Sequence, residues 1–280
     1  MKLSIVIPTY NRAGLIRRAL SSIDAPQGHS IEVIVVDDGD DETEDIVRNF
    51  KGTHPKIEWL YMKPQKRIGV NHARNQGARR ATGDWVAFLD SDDEYVTGGI
   101  DNLLSDLSGI SDRFGVAGFM TLREVAGMME PRGYAVGESW KTYEPSYEDI
   151  VMKKDIRGDI HYCIRRDIFA RGFGFPEDIQ GFESFFFADI AKHGVRFLYI
   201  NKVVDKRYTE GYEHIGSYAK WPKQYGRYYI KFAEAYFEVL EKYPDSLRSL
   251  YRSAGTAYLR AFDPRGFWWL GKYLLMTFSK

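Results

Sequence analysis

Cysteine is almost missing from this sequence. Cys163 is the single one among 280 residues, so no intrachain disulfide can form, and the composition suits a reducing compartment. A lone thiol of this kind is expected to serve as a small buried hydrophobe. Long apolar runs are also lacking. No stretch approaches the ~20 consecutive apolar residues of a spanning helix. The run Leu3 to Ile7 stops at Pro8, too short for a secretory signal. No excess of one charge exists, because 39 Lys and Arg balance 39 Asp and Glu, which argues against a general nucleic-acid binder. Neither Gly-x-x-x-x-Gly-Lys-Ser/Thr nor a Gly-x-Gly-x-x-Gly after a strand occurs, so neither common phosphate loop is available.

What is present is a buried-strand pattern that repeatedly ends in polar residues. Leu3 to Ile7 reads as a strand broken by Pro8-Thr9-Tyr10-Asn11. Ile31 to Val36 empties into Asp37 and Asp38, with Asp37 also a candidate cap for the next segment. Trp85 to Leu89 empties into Asp90, Ser91, Asp92 and Asp93. Helical spacing between them is seen over Arg12 to Ile23, Thr43 to Phe50 and Gly69 to Ala81, and Ile57 to Met62 reads as a further strand. Such alternation implies βαβ units and a parallel sheet. In a right-handed parallel arrangement the three polar strand ends converge on one edge, where open α/β sheets bind ligands. With no glycine loop to neutralise phosphates, a divalent cation on Asp92 is the economical substitute.

These segments resemble the motifs of family 2 glycosyltransferases. Ser4 to Arg12 resembles their opening, Val36-Asp-Asp-Gly39 their second motif, Gly69 to Gly77 their third, and Gly83 to Asp93 their metal-binding Asp-x-Asp segment. The resemblance is strong over residues 1 to about 95, weaker to about 217, and fades beyond. It implies the GT-A fold: an α/β, Rossmann-like mixed sheet, mostly parallel, flanked by helices, here with a C-terminal helical extension. By that resemblance Pro8, Thr9 and Tyr10, followed by Asn11 and Arg12, would line the nucleotide pocket, and Asp38 would bind the base. Arg74 and Asn75 would sit near the nucleotide. Asp90 would contact ribose or metal-bound water, Ser91 would join the nucleotide-sugar-binding residues, and Asp92 would hold Mn2+ or Mg2+. One departure is visible: Asp40 and Asp41 follow Gly39 where the family usually has Ser, which disfavours a phosphate at that loop.

In the second half, Ile100 to Leu107 reads as a helix, Phe114 to Val125 and Val195 to Val203 as strands, and residues 126 to 158 as irregular, acceptor-facing loops. Gly158 to Phe169 resembles the family strand beneath the acceptor site. The family's Glu-Asp pair at a helix start supplies its catalytic base. Here the pair is Glu183-Ser184, so Glu183 is the expected base, with Asp189 and Asp178 as weaker substitutes. The late segment Tyr208 to Ser217 resembles the family's His-x-Gly-Ser region and makes His214 a second metal ligand. Three closing helices are expected over Gln224 to Tyr243, Leu247 to Phe262 and Arg265 to Phe278. The last is rich in Trp, Tyr and Phe, which suits a packed tail, an in-plane membrane contact through 264–280, or a homodimer interface.

The sequence thus points to three units: 1–95 binding the nucleotide sugar, 96–217 binding the acceptor and carrying the base, and 218–280 as the helical extension. The implied activity is an inverting, metal-dependent transfer of a sugar from a nucleotide-diphosphate sugar, with UDP preferred, to a hydroxyl of a saccharide or lipid-linked saccharide. The implied setting is glycan or surface polysaccharide assembly, in the cytoplasm or at the inner face of the cell membrane. A non-catalytic nucleotide-sugar-binding module and a nucleotidyltransferase are the alternatives.

Overall fold

The computed structural model describes residues 1–125, 127–134, 141–152, 156–157, 159–179, 181–208, 222–261 and 263–278. The first half runs β1 (Lys2–Thr9), α1 (Ala13–Ser21), β2 (Ser30–Asp37), α2 (Thr43–Thr53), β3 (Glu58–Met62), α3 (Val70–Arg80), β4 (Trp85–Phe88), β5 (Glu94–Tyr95) and α4 (Gly99–Gly109). Then follow β6 (Phe114–Val125), β7 (Met128–Tyr134), β8 (Thr142–Tyr143), α5 (Tyr147–Met152), β9 (Ile156–Arg157), β10 (Ile160–Arg165) and α6 (Arg166–Ala170). The chain closes with α7 (Glu183–Lys192), β11 (Arg196–Arg207), α8 (Pro222–Ala235), α9 (Phe237–Leu240), α10 (Pro244–Arg260) and α11 (Arg265–Phe278).

The main sheet has the order β3-β2-β1-β4-β10-β6-β11-β5. Its first four strands are parallel, β10 is antiparallel to both neighbours, and β6 and β11 are parallel to each other. The near-continuous apolar runs of β1, β2 and β4 follow from cover on both faces. Leu3, Ile5 and Ile7 pack with Ile16, Leu20 and Ile46 of α1 and α2 on one side. Val6, Ile34 and Val86 pack with Ala73 and Ala78 of α3 on the other. Successive side chains thus go to opposite faces, and each fully buried aliphatic contributes about 1.5–3 kcal/mol. Cys163 is fully buried in the centre of the sheet, and burial pushes its thiol pKa up, as expected of an inert core residue.

The structure differs from the sequence reading in three places. Residues 126–158 are not simply irregular: β6 continues into a hairpin with β7, Val125 opposite Met128, and Gly127 takes φ 80° at the turn. The expected helix from Gln224 to Tyr243 breaks at Tyr236, whose φ of −122° leaves the helical region. The break re-phases the chain so that Val239 and Leu240 both bury in the aromatic cluster of α7, α8 and α10. Finally, β11 runs on past Val203 to Arg207, because Asp205 and Lys206 pair with β5 and β6.

Candidate active site

The parallel register sets the polar strand ends side by side. Thr9 lies opposite Asp37, and the Asp38 amide donates to the Thr9 carbonyl at 2.9 Å. Pro8 is buried in this edge, and the Thr9 hydroxyl is buried without a hydrogen-bond partner among the described residues. Tyr10 is exposed, with the Arg67 guanidinium 4.0 Å from its ring centroid. Asn11 takes φ 51° and its Oδ1 accepts the Asp40 amide at 2.7 Å, so it clamps the loop after β2. Both Asp38 oxygens accept backbone amides, from Ile68 and Gly69, each at 2.7 Å. Asp38 thereby holds the segment that leads into α3 across the sheet edge.

At the end of β4 the carboxylate oxygens of Asp90, Asp92 and Asp93 lie within 4.8 Å of one another. Ser91 is buried between them. Three hard oxygen donors so close fit a divalent cation of the Mg2+ or Mn2+ type. Electrostatics agree. Burial and the neighbouring Asp90 raise the Asp92 carboxyl above its usual range, with Arg12 opposing. Burial and Asp90 push Asp93 up to about 8. Such crowded acids stay ionised together only with a cation among them. Arg12 supplies one here, its Nη1 donating to Asp92 Oδ2 at 2.6 Å, while Arg18 donates to the Asp92 carbonyl. His214, the second ligand expected from sequence, lies outside the described residues.

Arg74 of α3 joins the two halves of the site. Its side chain is 8% exposed; Nη2 donates to Asp90 Oδ1 at 2.9 Å and Nη1 lies 2.7 Å from Glu183 Oε1. Burial works against the Arg74 charge, but Glu183 and Asp90 outweigh it and raise its pKa. Burial likewise works to raise Asp90, and Arg74, Arg207 and Arg12 overcome it and hold that carboxyl low. Asn75 points elsewhere: its amide bonds the Phe175 backbone at 2.8 and 2.9 Å and Glu177 at 2.9 Å, tying α3 to the segment before α7. Ser184, where an acid was expected, shares a 2.7 Å hydrogen bond with the Tyr228 hydroxyl and fastens α7 to α8. Asp178 is paired with Arg227 and Lys231, and Asp189 with His193, and neither belongs to the carboxylate trio.

Arg74, Asp90, Glu183 and Ser184 line a cleft of about 210 Å³. Its floor holds residues the sequence reading left unassigned: Asp93, Asp159, Tyr162, Asp205 and Arg207. Asp205 is buried, with Oδ2 2.9 Å from His161 Nδ1. Arg207 opposes burial with help from Asp205, Asp93 and Asp159, which raise its pKa. The available signal was alternation, since Asp205 and Arg207 share one face of a strand.

Residues 4–114 match the family model described as glycosyl transferase family 2. The chain is 29% identical over 203 residues to the GalNAc(5)-diNAcBac-PP-undecaprenol beta-1,3-glucosyltransferase of Campylobacter jejuni, covering 72% of this chain and 62% of that protein. It is 29% identical over 156 residues to glycosyltransferase GlyA of Streptococcus pneumoniae, covering 55% of this chain and 21% of that protein. The chain therefore spans less than two thirds of the length of these relatives. Among solved structures, S. aureus TarS 1-349 in complex with UDP-GlcNAc superposes with a TM-score of 0.63 at 20% identity, covering 94% of this chain and 73% of that one. Mannosyltransferase PcManGT from Pyrobaculum calidifontis, in complex with GDP-Man and Mn2+, gives 0.58 at 20% identity, covering 99% and 81%. At such identity the likeness shows the fold. The mixed sheet with its flanking helices and converging acids is a GT-A fold, and residues 4–114 of this chain are similar to glycosyl transferase family 2.

Proposed function

We propose that this chain is an inverting, metal-dependent glycosyltransferase that moves a sugar from a nucleotide-diphosphate sugar, with UDP preferred, to a hydroxyl of a saccharide acceptor. The observation that carries the proposal is the Arg74 bridge, which sets the candidate base Glu183 in one cleft with Asp90 and Asp93, whose carboxylates lie within 4.8 Å of that of Asp92. The base of the nucleotide would lie over Pro8, Thr9 and Tyr10, with the orphan Thr9 hydroxyl as a ready partner. Arg12 and Arg74, now spent on carboxylates, would turn to the diphosphate when it arrives. A cation held by Asp92 and Asp93, with Asp90 beside them, would neutralise charge on the departing diphosphate.

Glu183 would take the proton of the acceptor hydroxyl as its oxygen bonds to the anomeric carbon. The bond from that carbon to the diphosphate breaks on the opposite face, inverting the centre, and the nucleoside diphosphate leaves with the bonding pair. Phe88, Phe175 and Phe187 form an apolar wall that restricts water and strengthens these charge interactions.

A lipid-linked acceptor is the reading we favour, because α11 exposes an apolar face: Phe267 is 72%, Trp268 57%, Leu274 48% and Leu275 70% exposed. No helix among the described residues is long and apolar enough to cross a membrane. The face suits contact in the plane of the headgroups, with the Lys272 ammonium beside the exposed Trp268 as a charge for anionic lipid. The relative from Campylobacter jejuni carries an undecaprenol-linked saccharide in its name. The setting would then be polysaccharide or glycan assembly at the inner face of the cell membrane.

Calorimetric titration with UDP, GDP and CDP, each with Mn2+ and then with EDTA, tests the donor site. Metal-dependent binding of one nucleotide supports it. Failure of all three with folded protein overturns it.

A further inference from the structure

A second cavity, of about 470 Å³, adjoins the first at Glu183 and Ser184, among α5, α7, α8, α9 and α10. Both cavities count Glu183 and Ser184 among their walls, so the candidate base stands between them. The second cavity lies wholly outside residues 4–114, in the part of the chain that the family model does not reach.

Its chemistry is specific. Phe182, Tyr228, Tyr229 and Phe232 present flat aromatic surfaces. Phe182 and Tyr228 are stacked at 4.0 Å with planes 10° apart, and the Ser184 hydrogen bond to Tyr228 fixes that pair from the other side. Ser246 and Ser249, three residues apart on α10 and therefore on one face, add hydroxyls to the lining. Among the described lining residues Glu183 is the only charged one. None of the described lining residues is a cation that could receive a phosphate or carboxylate. The hydroxyls, for their part, would be left without partners against an alkyl chain. Flat apolar faces edged by hydroxyls match a neutral pyranose ring, which has an apolar C–H face and a rim of hydroxyl groups. The volume falls within the ~300–1,000 Å³ of small-molecule sites.

We propose that this cavity is the acceptor subsite, that it takes a neutral pyranose residue, and that the C-terminal helices select it. The inference rests on the glycosyltransferase reading above. The acceptor ring lies against the aromatic side chains of Phe182, Tyr228 and Tyr229, its rim hydroxyls reach Ser246 and Ser249, and its nucleophilic hydroxyl extends to Glu183, where the two cavities share lining residues, and on towards the donor in the first cleft.

The test is saturation-transfer NMR on the full chain. The probes are methyl glycosides of glucose, galactose, mannose and their N-acetylamino counterparts, with hexanol as the alkyl control. Ser249→Trp fills the cavity from an exposed position, and Tyr229→Ala removes one aromatic wall. At least one glycoside is expected to bind, with affinity falling at least about tenfold in both variants. Binding that persists unchanged in both variants, or saturation of hexanol alone, overturns the proposal. Nucleotide binding on the same samples reports the fold of each variant and separates two failures. Nucleotide without any glycoside overturns the acceptor subsite alone; neither ligand overturns the donor site as well.

Discussion

Arg74 Nη1 lies 2.7 Å from Glu183 Oε1, so the residue proposed as base is ion-paired to α3, in the first half of the chain. The same guanidinium holds Asp90, and its planar fork suits two carboxylates at once. Arg74→Ala is expected to destabilise the chain by about 1–3 kcal/mol, since two half-exposed carboxylates lose their partner. Arg74→Lys should recover much of that stability but little transfer, because one ammonium cannot span both acids. Urea unfolding and initial rates on the same samples check this; full transfer in Arg74→Ala would remove Arg74 from the site.

Glu183→Gln should lower turnover by about 10²–10⁴ while nucleotide affinity stays within a few-fold. Asp178→Asn and Asp189→Asn should leave turnover near the parent value, because those acids are paired with Lys231, Arg227 and His193 away from the cleft. If Glu183→Gln remained active while Asp189→Asn did not, the base would have to be reassigned.

Removing one carboxylate should abolish the metal response. In Asp92→Asn, calorimetric nucleotide binding is expected to be the same with Mn2+ as with EDTA. Retained Mn2+ dependence would mean that the cation sits elsewhere.

The acid cluster also sets a pH dependence in the metal-free chain. Burial and Asp90 put Asp93 at about 8 in the fold against an ordinary 3.8, so the folded chain holds that proton more tightly than the unfolded one. Its contribution to stability is complete below the ordinary value and is lost as pH rises towards about 8, at no more than about 1.4 kcal/mol per pH unit. In EDTA, wild type should therefore lose stability between pH 5 and about 8 more steeply than Asp93→Asn does. Equal slopes in denaturant melts would count against it.

Gly39 is a packing requirement at the pocket edge. A Cβ there would lie 2.3 Å from the Asn11 amide nitrogen and 2.4 Å from Asn11 Oδ1. Gly39→Ala should cost about 1–3 kcal/mol and weaken nucleotide binding together with stability. A parent-like denaturant midpoint would show that the Asn11 loop moves freely.

The exposed face of α11 predicts flotation with anionic vesicles, lost in the double variant Trp268→Glu, Leu275→Glu. Absence of flotation, with a dimer in sedimentation that the same variant dissociates, would assign the face to a second copy of the chain.

Much of the donor half was legible in the sequence because its signals are local. An apolar run of strand length followed by Asp-Asp or Asp-Ser-Asp names both the strand and its functional end, and alternation with helices orders the strands. The C-terminal half resisted for physical reasons. Strand β11 was cut short at Val203 because Asp205 and Lys206 read as a strand ending in solvent, whereas the neighbours Tyr95 and Thr121 pair with Asp205 and keep it inside. The helix break at Tyr236 follows from the burial of Val239 and Leu240 in a shared aromatic cluster, which no periodicity within one segment reveals.

By itself the sequence determined that acids and a Pro-Thr-Tyr turn meet at one sheet edge, since parallel strands carry their C-terminal ends together. The resemblance to the family put Glu183 at a helix start, where α7 begins. Only the tertiary structure decided what those groups do to one another. It placed Arg74 between Asp90 and Glu183, spent Asn11, Asp38 and Asn75 on backbone, added Asp205 and Arg207 to the cleft floor, and set a second cavity against Glu183. Side-chain partnership depends on distances between segments far apart in the chain, and those distances exist only once the sheet and its helices have packed.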